Sequence, residues 1–216
     1  MQRRHGRQPV ACVSADDDTQ QMAKTSVAQT SKRVARSLKV QAVTLGGSVA
    51  AMWTVFGVNV LLGGMLNGFG IVPRTRAGLV DILFAPLLHA NLNHLVANTI
   101  PFLLFGWLVM LRDRRHFVPV LIAGVLGSGL FAWAFGAPGS IHIGASGVVF
   151  GLLGFLLLAG WYARSFASIA MSIGVAVLWG GTIAGVLPGT PGVSWQGHLG
   201  GFIGGVLAAR WIHGKR

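Results

Sequence analysis

The sequence predicts an all-α membrane protein, a bundle of six membrane-crossing helices with a long interfacial connection after the first. Three observations lead there. Of the 216 residues, 53% are hydrophobic and only 10% charged, with a mean hydropathy of +0.65, far from the balance of a soluble domain. Six apolar runs, at residues 43–66, 92–111, 117–136, 146–162, 166–186 and 195–212, approach the roughly 20 residues needed to cross a hydrocarbon core about 30 Å thick. The connections between them alternate between rich and poor in Lys and Arg, as loops on opposite faces of a membrane do. Open strands cannot satisfy their backbone groups in lipid, so runs this long are helices.

Residues 1–40 are polar, lack a sustained apolar period and carry eight Lys or Arg. They are expected to form a disordered cytoplasmic tail that can lie against anionic headgroups. They do not read as a secretory signal, and Asp16, Asp17 and Asp18 break the acid-poor pattern of organelle-targeting peptides. After the first run, the connection "NGFGIVPRTRAGLVDILFAPLLHAN", residues 67–91, is too long for a turn and too apolar to float in water. It is expected to lie partly embedded at the interface in a structural role, with a lateral support or substrate guide beside the bundle as the functional alternative. The second connection, "RDRRH" at 112–116, has three basic residues; the third and fifth have none; Arg164 stands in the fourth. Arg210, Lys215 and Arg216 close the chain, residues 213–216 forming a short basic end after the helical domain of 43–212. Fifteen basic residues thus fall on one side and two, Arg74 and Arg76, on the other. Both termini are expected in the cytoplasm, in a multi-pass protein of a cell membrane, a bacterial inner membrane in particular.

Several classes are excluded. A net charge of +12 invites nucleic acid, but the basic residues lie in a tail and in loop clusters rather than on one folded face. Cys12 is the single cysteine, so neither a disulfide nor a cysteine metal site forms within one chain. There is no glutamate, and the five aspartates sit in the tail and the first two connections. No acid is left in the apolar bundle for a Ser/His/Asp triad, so a dyad is all that is available. No metal or other cofactor is expected.

Strongly polar residues inside membrane segments are functional candidates. His94 and Asn98 in "NHLVANT" are four apart and project from one helix face, as interhelical glue or as two donors aimed at one point. Ser146 in "HIGASGVVFG" opens the fourth run, where the first backbone N–H groups of a helix have no internal partner. It reads as a small residue at a helix contact or as a nucleophile with an oxyanion donor built in. His198 in "WQGHLGGFIGG" is a satisfied bundle histidine or a base. Gly197, Gly201 and Gly205 make a four-residue ladder, matched by Gly147 and Gly151, and two such stripes let backbones approach closely enough for a Ser–His hydrogen bond. A nucleophile type, a base type and paired donors, each near the outer end of its own helix, favour the chemical reading. His142, four residues before Ser146, is expected to satisfy a loop carbonyl, with a place in the wall of the cavity as the alternative.

From residue 43 to the end, the chain resembles the rhomboid intramembrane serine proteases. "HANLNHLVAN", with His89, looks like the second-helix His-x-x-x-Asn motif, "GASG" with Gly144 and Gly147 like the Gly-x-Ser-Gly motif, and "GHLGGFIGG" like the last-helix histidine with its glycines. The resemblance implies Ser146 as nucleophile and His198 as general base and acid. It makes His94, Asn98 and the Ser146 backbone N–H the oxyanion donors, with Phe150, Gly144, Gly147, Gly197 and Gly201 in support. It implies cleavage of single-pass membrane proteins in or near their transmembrane segments, at small residues. The fifth helix and the connection at 186–194 would be gate and cap. Two departures stand out: Phe150 replaces a common tyrosine, and "GIVPRTR" replaces a Trp-Arg pair often found in the first connection. The rival readings are an inactive relative that binds or escorts membrane helices, disfavoured by retention of Ser146 and His198, and a small transporter, for which no internal repeat is evident.

Overall fold

The computed structural model describes residues 15–189 and 192–214, with side chains from residue 29 onward. The chain divides into two compact units between Val40 and Gln41. In the first, the described residues are helical, part of α1 (Ala15–Leu61), within the 1–40 stretch expected as a disordered tail. The local sequence suits a helix there. No Gly or Pro occurs from Ala15 to Val40, and good helix formers recur. Residues 1–14, Cys12 included, and 215–216 lie outside the described residues.

The second unit continues α1 and adds α2 (Arg76–Asp81), α3 (Leu92–Arg112), α4 (Phe117–Phe135), α5 (Ser146–Ala163), α6 (Phe166–Trp179) and α7 (Trp195–His213). Short 3₁₀ turns at Met65–Phe69, Ala85–Leu87, Arg114–His116 and Gly180–Val186 link them. Among the described residues, five stretches are long and apolar enough to cross a membrane: Gln29–Leu61, Leu92–Arg112, Arg114–Phe135, Ser146–Ala163 and Phe166–Val186. The sixth long helix, α7, has 19 residues, about 28 Å at 1.5 Å per residue. Its hydropathy is diluted by glycines, Gln196, His198 and Arg210. Such a composition is tolerated because α7 packs against α4 and α5 rather than facing lipid on every side.

α5 is the centre of the bundle. Every residue from Gly147 to Leu156 is buried, and α3, α4, α6 and α7 all pack on it, which is why it is apolar all round. Glycines set its distance to α7. A Cβ at Gly201 would run into the Gly147 carbonyl oxygen, and one at Gly205 into that of Gly151. A second stripe on α7, Gly200 and Gly204, meets the carbonyls of Gly127 and Ala123 on α4. The doublets in "LGGFIGG" therefore give one bare face to each neighbour. α6 is the least enclosed: Ser172 donates to the Leu156 carbonyl at 2.6 Å and accepts from the Gly160 N–H at 3.0 Å, while Ile173, Val177 and Leu178 stay exposed.

α3, α5 and α7 begin at one end of the bundle, and their far ends carry Arg112, Arg164 and Arg210. The first connection straps the opposite end. Arg74, at φ 60°, donates to the carbonyls of Ala134 at 3.1 Å and Gly136 at 2.9 Å, closing the last turn of α4. The Trp133 indole N–H returns a bond to the Thr75 carbonyl at 2.8 Å.

The α5–α7 contact predicts that Gly201→Ala lowers thermal stability in detergent by about 1–3 kcal/mol, the usual overpacking penalty. Gly174→Ala, where a Cβ meets nothing within 4 Å, should leave the melting temperature unchanged. Equal melting temperatures for the two variants would contradict the close-contact account.

Candidate active site

The site lies at the strapped end, where three helix N-termini converge. α3 is capped by Asn91, whose side chain accepts from the His94 N–H, and α7 by Ser194, which accepts from the Gly197 N–H. No side chain caps α5. Its first-turn N–H groups, beside Ser146, are thus not occupied by a side-chain cap, and they point at the space in front of the serine.

Ser146 Oγ stands 2.8 Å from His198 Nε2, and His198 Nδ1 stands 2.9 Å from the Gly185 carbonyl oxygen. That carbonyl can only accept, so Nδ1 carries the proton and Nε2 presents its lone pair to the serine O–H. This tautomer is the one a general base needs. The Phe150 ring stacks on the imidazole, with centroids 4.2 Å apart and planes 15° from parallel. His198 is 9% exposed. A Cβ on Gly185 would lie 2.8 Å from Phe150 Cζ, so a glycine there lets the turn after α6 close over ring and base together.

His94 and Asn98 converge on the backbone just ahead of the serine. A Cβ on Gly144 would stand 2.6 Å from both His94 Cε1 and Nε2 and 3.4 Å from Asn98 Nδ2. Gly144 has φ +112°, a conformation that favours glycine for a second, independent reason. Asn98 is 4% exposed, yet its Nδ2 has no hydrogen-bond partner among the described residues. A buried amide donor left open at the mouth of the serine loop is costly unless something else is meant to accept from it. His89, fully buried, packs its ring edge-on to His94 with centroids 5.1 Å apart. Its Nδ1 approaches the Leu87 carbonyl at 3.3 Å.

Ser146, His198, Gly144, His142, Ser128 and Ser194 contribute to the wall of a cavity of about 20 Å³, which exceeds the roughly 10–15 Å³ one water needs. The expected site residues are therefore together: Ser146 with His198, His94 with Asn98 around Gly144, Phe150 against the histidine, and Gly147 and Gly201 in contact. Gly197 adjoins Ser194 and the Ser128 backbone. His142 lines the cavity, the second of its two expected roles, and its ring meets hydroxyls rather than a loop carbonyl, with Nε2 2.9 Å from Ser140 Oγ and Nδ1 2.7 Å from Ser194 Oγ. The Gly185 carbonyl and Ser128 are absent from the sequence reading; a backbone carbonyl leaves no residue-type signal, whereas Ser194, three residues before Gly197, carries a legible N-cap pattern.

Fold and site together define a multi-pass helical membrane protein with a hydrogen-bonded Ser–His pair at one end of its bundle. Comparison with known proteins gives the family. The Rhomboid domain matches residues 76–215, and the chain belongs to the rhomboid family. It is 42% identical over 195 residues to an uncharacterized protein of Mycobacterium tuberculosis (strain ATCC 25618 / H37Rv), covering 86% of this chain and 80% of the relative. An uncharacterized protein of Mycobacterium leprae is 41% identical over 180 residues, 79% of this chain and 70% of its own. A protein of Acanthamoeba polyphaga mimivirus, named for the rhomboid family, is 27% identical over 140 residues, 62% and 75% of the two chains.

Burial first, then the neighbouring His94, hold the His89 pKa at about 4 against an ordinary 6.5, the Leu87 carbonyl only partly opposing them. Between those values the unfolded chain binds more protons than the folded one, so stability is complete above about 6.5 and falls as pH drops toward 4. Melting temperature in detergent should fall over that window, with a shallower slope in His89→Gln. An unchanged slope in the variant would show that His89 titrates normally.

Proposed function

We propose that this chain is an intramembrane serine endopeptidase that hydrolyses peptide bonds in or near the transmembrane segments of single-pass membrane proteins. The observation that carries the reading is the 2.8 Å approach of Ser146 Oγ to a His198 Nε2 whose other nitrogen is committed to the Gly185 carbonyl. The chain's membership of the rhomboid family supports it further.

In this mechanism Ser146 Oγ attacks the scissile carbonyl carbon as His198 Nε2 takes its proton. The carbonyl oxygen becomes an oxyanion, received by Asn98 Nδ2, His94 and the Ser146 backbone N–H. Collapse breaks the C–N bond, and the imidazolium returns its proton to the leaving amine. A water then enters, His198 accepts its proton as the oxygen attacks the acyl-serine, and the second collapse frees the carboxylic acid and restores Ser146. The Gly185 carbonyl holds the ring in the required tautomer throughout, as a carboxylate does in a triad. No acid is needed.

Water and substrate would reach the site from the outer face, by the charge asymmetry of the loops. α6 suits a lateral gate: its inner half is tied to α5 by Ser172 and to Arg112 by Ser168 at 2.6 Å, while its outer half exposes Ile173, Val177 and Leu178. The connection at 186–194 would cap the site; its Thr190 and Pro191 lie outside the described residues. Small residues at the cleavage point follow from the family resemblance.

Purified enzyme should cut a tagged single-pass substrate in detergent or liposomes, and Ser146→Ala and His198→Ala should abolish cutting. Asn98→Ala should lower turnover by about ten- to a thousandfold with the fold retained. Cleavage by Ser146→Ala at the wild-type rate would refute the mechanism, and an inert wild type would favour a helix-binding relative without chemistry.

A further inference from the structure

His142 sits at the join between the two chain segments that carry Ser146 and His198, and for a neutral ring its hydrogen bonds have one consistent direction. The Ala137 carbonyl accepts from Ser140 Oγ at 2.6 Å, which uses the single O–H of Ser140. Ser140 Oγ must then accept from His142 Nε2–H, at 2.9 Å. With Nε2 protonated, the neutral ring leaves Nδ1 as an acceptor, and it takes the O–H of Ser194 at 2.7 Å. Ser194 Oγ in turn accepts from the Gly197 N–H at 3.2 Å, capping α7. Four bonds run head to tail from the N-terminus of α7 to the loop ahead of α5. Burial pushes the His142 pKa below its ordinary value and so favours the neutral ring that this order requires.

The backbone of His142 is fixed as well. Its N–H donates to the Ile71 carbonyl at 3.0 Å, and its carbonyl accepts from the Ile71 N–H at 2.9 Å. Two residues on, the Gly144 N–H donates to the Ala85 carbonyl at 2.8 Å. The loop is thus pinned to the first connection on one side, while the imidazole reaches α7 on the other. From the anchor points, Ser146 is four residues after His142 and His198 four residues after Ser194.

We propose that His142 is a positioning residue for the Ser146–His198 pair, a neutral imidazole latch that sets the distance between the serine loop and the N-terminus of the histidine helix. It touches neither reacting atom. Its effect passes through Ser194 and the α7 cap, which place the His198 ring, and through the loop backbone, which places Ser146. Glycine packing brings the two helices together; the latch fixes their register at the end where a shift of about 1 Å can cost about a hundredfold in rate.

The inference rests on the peptidase reading, and the experiment separates the two. Wild type, Ser146→Ala, His142→Phe, His142→Gln and Ser140→Ala are compared for kcat and KM on one single-pass substrate, per molecule that elutes as folded protein. His142→Phe keeps a ring but loses both bonds, and kcat should fall about ten- to a hundredfold with KM unchanged. His142→Gln keeps one donor and one acceptor without a charge and should recover most of the loss. Ser140→Ala, at the exposed end of the chain of bonds, should lower kcat severalfold and decides the matter if His142→Phe does not fold. Wild-type kcat in the foldable variants, or a change in KM alone, overturns the latch while leaving the peptidase reading intact. A wild type no more active than Ser146→Ala overturns both.

Discussion

The hydrogen bond between Ser146 and His198 depends on two helix backbones that touch with no side chain between them. Gly201 lies on the Gly147 carbonyl and Gly205 on that of Gly151, a close approach that accompanies the 2.8 Å between Ser146 on one helix and His198 on the other. Water gives no hydrophobic drive to helix association inside a bilayer, so packing of small residues has to supply it. The same glycines that hold the bundle together therefore set the geometry of its most polar contact. α7 satisfies this constraint twice, presenting a second bare face to α4 through Gly200 and Gly204.

A second constraint is that each polar group brought into the apolar interior needs a partner. The chain has no carboxylate there, and the Gly185 carbonyl takes the orienting role instead. A backbone carbonyl can fix a tautomer without adding a charge to a low-dielectric site. His142 is satisfied by two hydroxyls and Ser172 by α5 backbone groups. Asn98 Nδ2 and His89 Nε2, beside the serine loop, are among the buried atoms that lack a partner among the described residues.

Much of this was legible in the sequence because membrane insertion restricts the alphabet. Six apolar runs follow from length and hydropathy, all but the first with boundaries close to the helices observed, and Ser146, His198, His94 and Asn98 stand out as polar residues in costly places. The glycine periods point to the α5–α7 contact. What was missed has physical reasons. Gly185 acts through its main chain, which any residue type possesses. The Ser140–His142–Ser194 order spans 52 residues between its last two members, and nothing local links them. The helix over Ala15–Val40 runs through a stretch whose polarity alone points to disorder but which contains no Gly or Pro.

The central claim is that Ser146 is a nucleophile activated in place by His198, and covalent capture tests it without any assumption about substrate. The purified protein is treated with a fluorophosphonate and the adduct located by mass spectrometry. The account predicts one adduct, on Ser146, lost in Ser146→Ala and formed far more slowly in His198→Ala. An unmodified Ser146, or labelling that persists unchanged in Ser146→Ala, would contradict it.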